Sequence, residues 1–135
     1  MNIRTQRLER ITILCLQGRM VVGEMNPLRR AVHAQSNVDL VVLNLAQVSM
    51  IDASGLGILL ELRQWSSEKG IELRLIEVGA RVRQIFELAC LDTVFEFSSP
   101  AEILSLAGAQ EVTCEVALLS CGEPGSRAVS SVTPA

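Results

Sequence analysis

The stretch VVLNLAQVSMIDASGLGILLELRQW, Val41 to Trp65, decides the fold. Val41–Leu45 belongs to a short run rich in valine and almost continuously apolar, as expected of a strand buried on both faces. Asp52, Ala53, Ser54 and Gly55 break that run, and leucine and isoleucine then recur at helical spacing as far as Trp65. A strand, a turn and a helix in direct succession form half of a βα unit, which implies a sheet with helices packed on it. Asp52 or Ser54 can accept bonds from the free N–H groups of the first helical turn. Gly55 and Gly57 remove side chains there, so another backbone or a ligand can approach, and the positive end of the helix dipole favours an anion near Ser54. A plain helix cap, a phosphate-receiving turn and a docking corner are all consistent with these residues.

The same alternation extends in both directions. On the N-terminal side, Ile3–Leu8 alternates weakly, as an edge strand does. RITILCLQG places Ile11, Ile13 and Cys15 on one face and Thr12, Leu14 and Leu16 on the other, which predicts a strand inside the sheet. A helix is expected from Glu24 or Asn26 to about Ser36, with Asn26 as N-cap and Pro27 in the first turn. On the C-terminal side, the helix that follows Asp52 closes at Gly70 and IELRLIEV reads as a strand. GARVRQIFELACLD reads as a helix with Val82, Ile85, Phe86 and Ala89 on one face, and TVFEF as a short strand. SSPAEILSLAG reads as a last short helix with Ser99 as N-cap, Pro100 in the first turn and Gly108 as a stop. The order β-β-α-β-α-β-α-β-α predicts an α/β domain. Its sheet is mixed but mostly parallel, with about five strands and about four helices. The domain is expected over residues 1–107. Residues 108–135, rich in Gly, Pro and Ser toward the end, are expected to form a flexible extension.

The helix after the turn carries more apolar surface than one sheet face requires, an arc of about 200°. Leu56, Leu59 and Leu60 fall on one side, Ile58, Leu62 and Trp65 on another, and Glu61, Gln64 and Glu68 fill the rest. Ile58, Leu62 and Trp65 are free either to fit under a neighbouring helix or to meet a partner protein.

Composition excludes several classes. The net charge is −3, eleven of the twelve basic residues are Arg, no basic cluster is longer than Arg29-Arg30, and Tyr is absent. That argues against a nucleic-acid surface, which needs a basic field and usually stacking aromatics. No apolar run approaches the roughly 20 residues of a membrane span, and the charged N-terminus does not read as a signal peptide, so a cytoplasmic location is expected. His33 is the only histidine, and Cys15, Cys90, Cys114 and Cys121 lack metal-site spacing. The cysteines read as reduced thiols, and neither a metal, a cofactor nor a catalytic residue is implied.

The segment VVLNLAQVSMIDASGLGILLELR resembles the signature of STAS domains, named for sulfate transporters and anti-sigma factor antagonists: a strand, an Asp-Ser-Ser-Gly-Leu/Ile-Gly turn and a helix. GARVRQIFELACLDTVFEF is similar to the family's later helix–strand segment, and the resemblance runs from about Ile3 to Ala107. It implies a non-catalytic protein-binding module that regulates transcription by partner switching, its partner being an anti-sigma factor with serine kinase activity. In such antagonists that partner phosphorylates the Ser directly after the Asp, and phosphorylation blocks binding. Here that position is Ala53, which has no hydroxyl, and Ser54 matches the second Ser. Three readings follow, in order of preference: the protein binds its partner but escapes the switch; Ser54 takes over as phosphate acceptor; or the domain is a docking subunit of a transport or sensory complex. The expected partner surface is Asp52, Ala53, Ser54, Gly55, Leu56, Gly57 and Ile58, bordered by the loop Gly18–Asn26. That loop, GRMVVGEMN, departs from the family's Gly-Glu-Leu-Asp-like turn. A second copy of the chain stays open as a further partner.

Two rivals fare poorly on the residues. A receiver-like site with Asp52 as phosphate acceptor needs acidic residues near the first strand and an opposing Lys, yet only Glu9, Glu24 and Lys69 are on offer. Ser54–Gly57 as a nucleotide loop lacks the GxxxxGK[ST] spacing and its Lys.

Overall fold

The computed structural model describes residues 1–107, so the expectation of a flexible extension over 108–135 lies outside the described residues. The elements are β1 (Asn2–Leu8), β2 (Ile11–Met20), α1 (Asn26–His33), β3 (Leu40–Ile51), α2 (Ala53–Glu68), β4 (Glu72–Ile76), α3 (Ala80–Leu88), β5 (Glu96–Ser98) and α4 (Pro100–Ala107). The sheet has the order β1-β2-β3-β4-β5; β1 pairs antiparallel with β2, and every other pair is parallel. This is the mixed, mostly parallel α/β architecture that the element order predicts.

Strand order places the helices. Each parallel strand adds on the same side of its predecessor, so right-handed crossovers carry α1, α2 and α3 to the same face of the sheet. On that face Leu14, Leu16, Leu43, Leu45 and Leu75 pack against Leu28 and Val32 of α1, Leu59 and Leu62 of α2, and Val82 and Phe86 of α3. The strand alternation sends Ile11, Ile13, Cys15, Leu40, Val42 and Ile76 to the other face, where they meet Ile103 and Leu104 of α4. Phe86 meets Phe95 and Phe97 edge-on, each at 5.5 Å between ring centroids, which fastens α3 to the short β5.

Several details differ from the sequence reading. β3 runs on to Ile51, beyond its last β4 partner at Asn44, so the paired ends Gln17–Met20 and Gln47–Ile51 project past β4. A bulge marks the start of the projection, where the Asn44 Oδ1 accepts a bond from Ala46 N at 2.9 Å. Beyond it only one face is covered: Val48 and Ile51 are buried while Ala46, Ser49 and Met50 are exposed. The cap of α1 is Met25, not Asn26, and no side chain caps it; Pro27 lies in the first turn as expected. Ser99 does cap α4, in a reciprocal box with Glu102: Glu102 N donates to Ser99 Oγ at 3.2 Å and Ser99 N to Glu102 Oε1 at 2.8 Å. Cys90 is exposed and free, and Cys15 lies buried in β2.

The surplus apolar surface of α2 goes mostly under α1. Leu62 is fully buried, and the Trp65 ring lies 4.6 Å from that of His33 on α1. Ile58 is half-buried against the core, and Leu60 is left exposed. Among the described residues no helix is long and apolar enough to cross a membrane, and no His, Cys, Asp and Glu side chains gather as a metal site would require.

Candidate functional site

The projecting end of β2 and β3 carries two segments that sequence separates by about thirty positions: the loop after Met20 and the turn at Asp52. Asp52 is the N-cap of α2, in extended conformation with φ −118° and ψ −176°. Its Oδ1 accepts a bond from Gly55 N at 2.8 Å, which satisfies one orphan donor of the first helical turn. Its Oδ2 accepts from Val22 N at 3.1 Å, and its own N–H donates to Met20 O at 3.1 Å. The amides of Gly55 and then Val22 stabilise the charged form and hold the Asp52 carboxyl below its ordinary range.

The two glycines serve different ends. A Cβ on Gly55 would overlap the carbonyl oxygen of Met20 and lie 3.0 Å from Ile51 Cγ1, so the close approach of α2 to the end of β2 requires glycine there. Gly57 has nothing within 4 Å of where its Cβ would be; it faces outward and keeps the surface low.

The residues expected at a partner surface therefore divide by burial. Ala53, Ser54 and Gly57 are exposed, Asp52 and Ile58 are half-buried, and Gly55 and Leu56 are buried. Beside them the loop is built tightly. Glu24 N donates to Val21 O at 3.0 Å, Gly23 takes φ +85°, and Arg19 Nη2 lies 2.7 Å from Glu24 Oε2. This loop holds Val22 with 70% of its surface exposed, and Met50 is exposed nearby in sequence at the end of β3. Sequence reading named the loop but singled out neither residue; the available signal was Val21-Val22 directly before a glycine, outside any strand.

The groups of a phosphoryl-accepting site are scattered. Glu9 lies in the β1–β2 connection, at the opposite end of β2. Glu24 is paired with Arg19, and Lys69 caps the far end of α2, its Nζ 5.9 Å from the Trp65 ring centre. The 16 residues of α2 put that end roughly 24 Å from the turn.

A small α/β domain with a mixed sheet, three helices on one face and a capped turn at its projecting end is the class defined by these features. The chain belongs to the STAS domain family, whose model matches residues 2–102. The fold is shared with the anti-sigma factor antagonist SpoIIAA in its unphosphorylated form, at 19% identity and TM-score 0.66 over 82% of this chain and 100% of that one. An anti-sigma factor antagonist from Mycobacterium paratuberculosis gives 18% identity and TM-score 0.63 over 80% of this chain and 94% of that one. A sulfate transporter family protein from Wolinella succinogenes gives 20% identity and TM-score 0.60 over 73% and 84%. No curated protein matches the chain.

Proposed function

We propose that the protein is a non-catalytic protein-binding module of the cytoplasm that binds an anti-sigma factor with serine kinase activity and so regulates transcription. In this reading Ala53 removes the residue on which partner switching by phosphorylation acts, and the protein binds without being turned off. The observation that carries the reading is the arrangement around Asp52: a corner that exposes Ala53, Ser54 and Gly57, while the Asp52 carboxylate is occupied by two backbone amides. Such a carboxylate is a poor acyl-phosphate acceptor, and the corner is shaped to be touched. Gly55 and Leu56 support the surface from beneath, and Ile58 borders it.

A docking subunit of a transport or sensory complex is the second reading, favoured by the likeness to the Wolinella sulfate transporter family protein. Pull-down from the native cell followed by mass spectrometry separates the two. Recovery of an ATPase-fold kinase, with Ser54 unmodified, supports the first; recovery of transporter subunits supports the second. Phosphate on Ser54 would show that this hydroxyl has taken over as acceptor.

A further inference from the structure

We infer that Asp52 is a positioning residue that joins the turn and the β2–α1 loop into one docking surface, on which Val22 is a contact for the partner. The inference rests on the partner-binding reading above and adds which residues are read and what surface they fit. An exposed valine in a loop is ordinary; an exposed valine held by its own backbone is less so. Val22 N–H is bonded to Asp52 Oδ2, and its neighbours are fixed by the Glu24–Val21 turn, the Arg19–Glu24 ion pair and the bond from Asp52 N to Met20 O. The other oxygen of the same carboxylate holds Gly55 N and so the start of α2. One side chain thus sets the position of Val22 relative to Ala53 and Ser54. Ordering the contacts before binding lowers the entropy lost on association, which is where such a clamp contributes to affinity.

The charges nearby indicate what the surface fits. Arg19 and Glu24 neutralise each other, and Arg29 of α1 is paired with Glu61 of α2 at 3.1 Å. Asp52 is half-buried and turned to amides. What faces outward from the turn and the loop tip, Val22, Gly23, Ala53, Ser54 and Gly57, is small and uncharged, with the exposed Arg19 of the Arg19–Glu24 pair at its margin. The matching partner surface is apolar and uncharged.

Asp52→Asn isolates the clamp. Asparagine is as good an N-cap as aspartate, so its carbonyl oxygen keeps the bond from Gly55 N, but its NH2 group then faces Val22 N–H, donor against donor. In Asp52→Asn, amide exchange at Val22 is expected to rise about tenfold or more, with Gly55 and the strand amides unchanged. Affinity for the kinase-type partner recovered by pull-down, measured by calorimetry, is expected to fall about tenfold, or ~1.4 kcal/mol. Val22→Ser is expected to lose a similar factor without any change at Gly55. Unchanged exchange at Val22 overturns the clamp, whatever the partner. Lost protection at Val22 with undiminished affinity, or Val22→Ser binding like the wild type, overturns the contact role. A wild-type chain that binds no such partner overturns the functional reading, and exchange at Val22 then decides the clamp by itself.

Discussion

Gly55→Ala and Gly57→Ala are the same chemical change two residues apart on one helix, and the structure gives them opposite signs. In an open helical position alanine is favoured over glycine by about 0.5–1 kcal/mol, because glycine loses more backbone freedom on folding. Gly57 is such a position: nothing lies within 4 Å of the new methyl. At Gly55 the new Cβ overlaps the Met20 carbonyl oxygen and crowds the Met20 carbonyl carbon at 3.0 Å. Those are backbone atoms of a paired strand and cannot rotate aside, so the cost belongs near the upper end of the ~1–3 kcal/mol range for overpacking. Set against the gain of about 1 kcal/mol, Gly55→Ala should lose a net ~2 kcal/mol. With a urea slope of about 1.2 kcal/mol/M, that lowers the unfolding midpoint by roughly 1.7 M, while Gly57→Ala raises it by roughly 0.6 M. Trp65, the only tryptophan and half-buried against His33, reports the transition by fluorescence. Midpoints that shift in the same direction, or a Gly55→Ala protein as stable as the wild type, would refute the close approach of α2 to the end of β2.

The remaining predictions concern charge and phosphate. The Asp52 carboxyl is held below its ordinary range in the folded protein, so its contribution is complete above the unfolded-state value and is lost as pH falls through the folded value. Urea midpoints taken from pH 7 down to about pH 2 should therefore drop less steeply at the acid end in Asp52→Asn than in the wild type; equal slopes would count against the two amide bonds. Asp39, held low by its bond to Arg10, should give the same sign in Asp39→Asn. Ala53→Ser restores a hydroxyl at an exposed position directly after Asp52. Incubated with a kinase-type partner and ATP, it should gain one phosphate by intact mass while the wild type gains none. Ser54→Glu should weaken partner binding in calorimetry without moving the urea midpoint, and unchanged affinity would take Ser54 out of the contact surface.

Much of this was legible because most elements obey one simple period. Ile13/Leu14 and Leu75/Ile76 fall on opposite faces as the alternation demands, and Ser99, Pro100 and Glu102 carry the start of α4 in sequence. The missed features are those in which tertiary contacts override the local pattern. Ala46–Ile51 mixes polar and apolar residues and reads as a connection, yet it pairs with β2, and its Val48 and Ile51 join the core cluster that holds Leu56 near the start of α2. Asn26-Pro27 is a good local start signal, but the chain enters the helix one residue earlier, with Met25 buried in the core. At the site, Asp52 as a cap was written in the sequence; its second bond, to Val22, was not. No spacing rule links positions thirty apart, and only the parallel register of β2 and β3 brings them together. Gly55 likewise looked like a residue that makes room, and the backbone it makes room for is that of Met20.

Topology also explains why the proposed docking end is a surface. In doubly wound sheets the strand order reverses, and loops diverging at the switch point open a crevice in which helix N-termini meet phosphates. Here the order runs from β1 to β5 without reversal, so no such crevice is generated beside α2. The N-terminus of α2 instead abuts the projecting end of β2, with Met20 O against Gly55. One of its free amides, Gly55 N, is already taken by a carboxylate of the same chain. An external anion that took Gly55 N would have to displace Asp52 and, with it, the bond that holds Val22. Binding a phosphate in the turn and presenting an ordered docking corner are therefore competing uses of the same amides. The geometry favours the second: added negative charge at residue 53 or 54 should act by loosening the corner as well as by repelling the partner, and amide exchange at Val22 in Ala53→Glu would register that loosening directly.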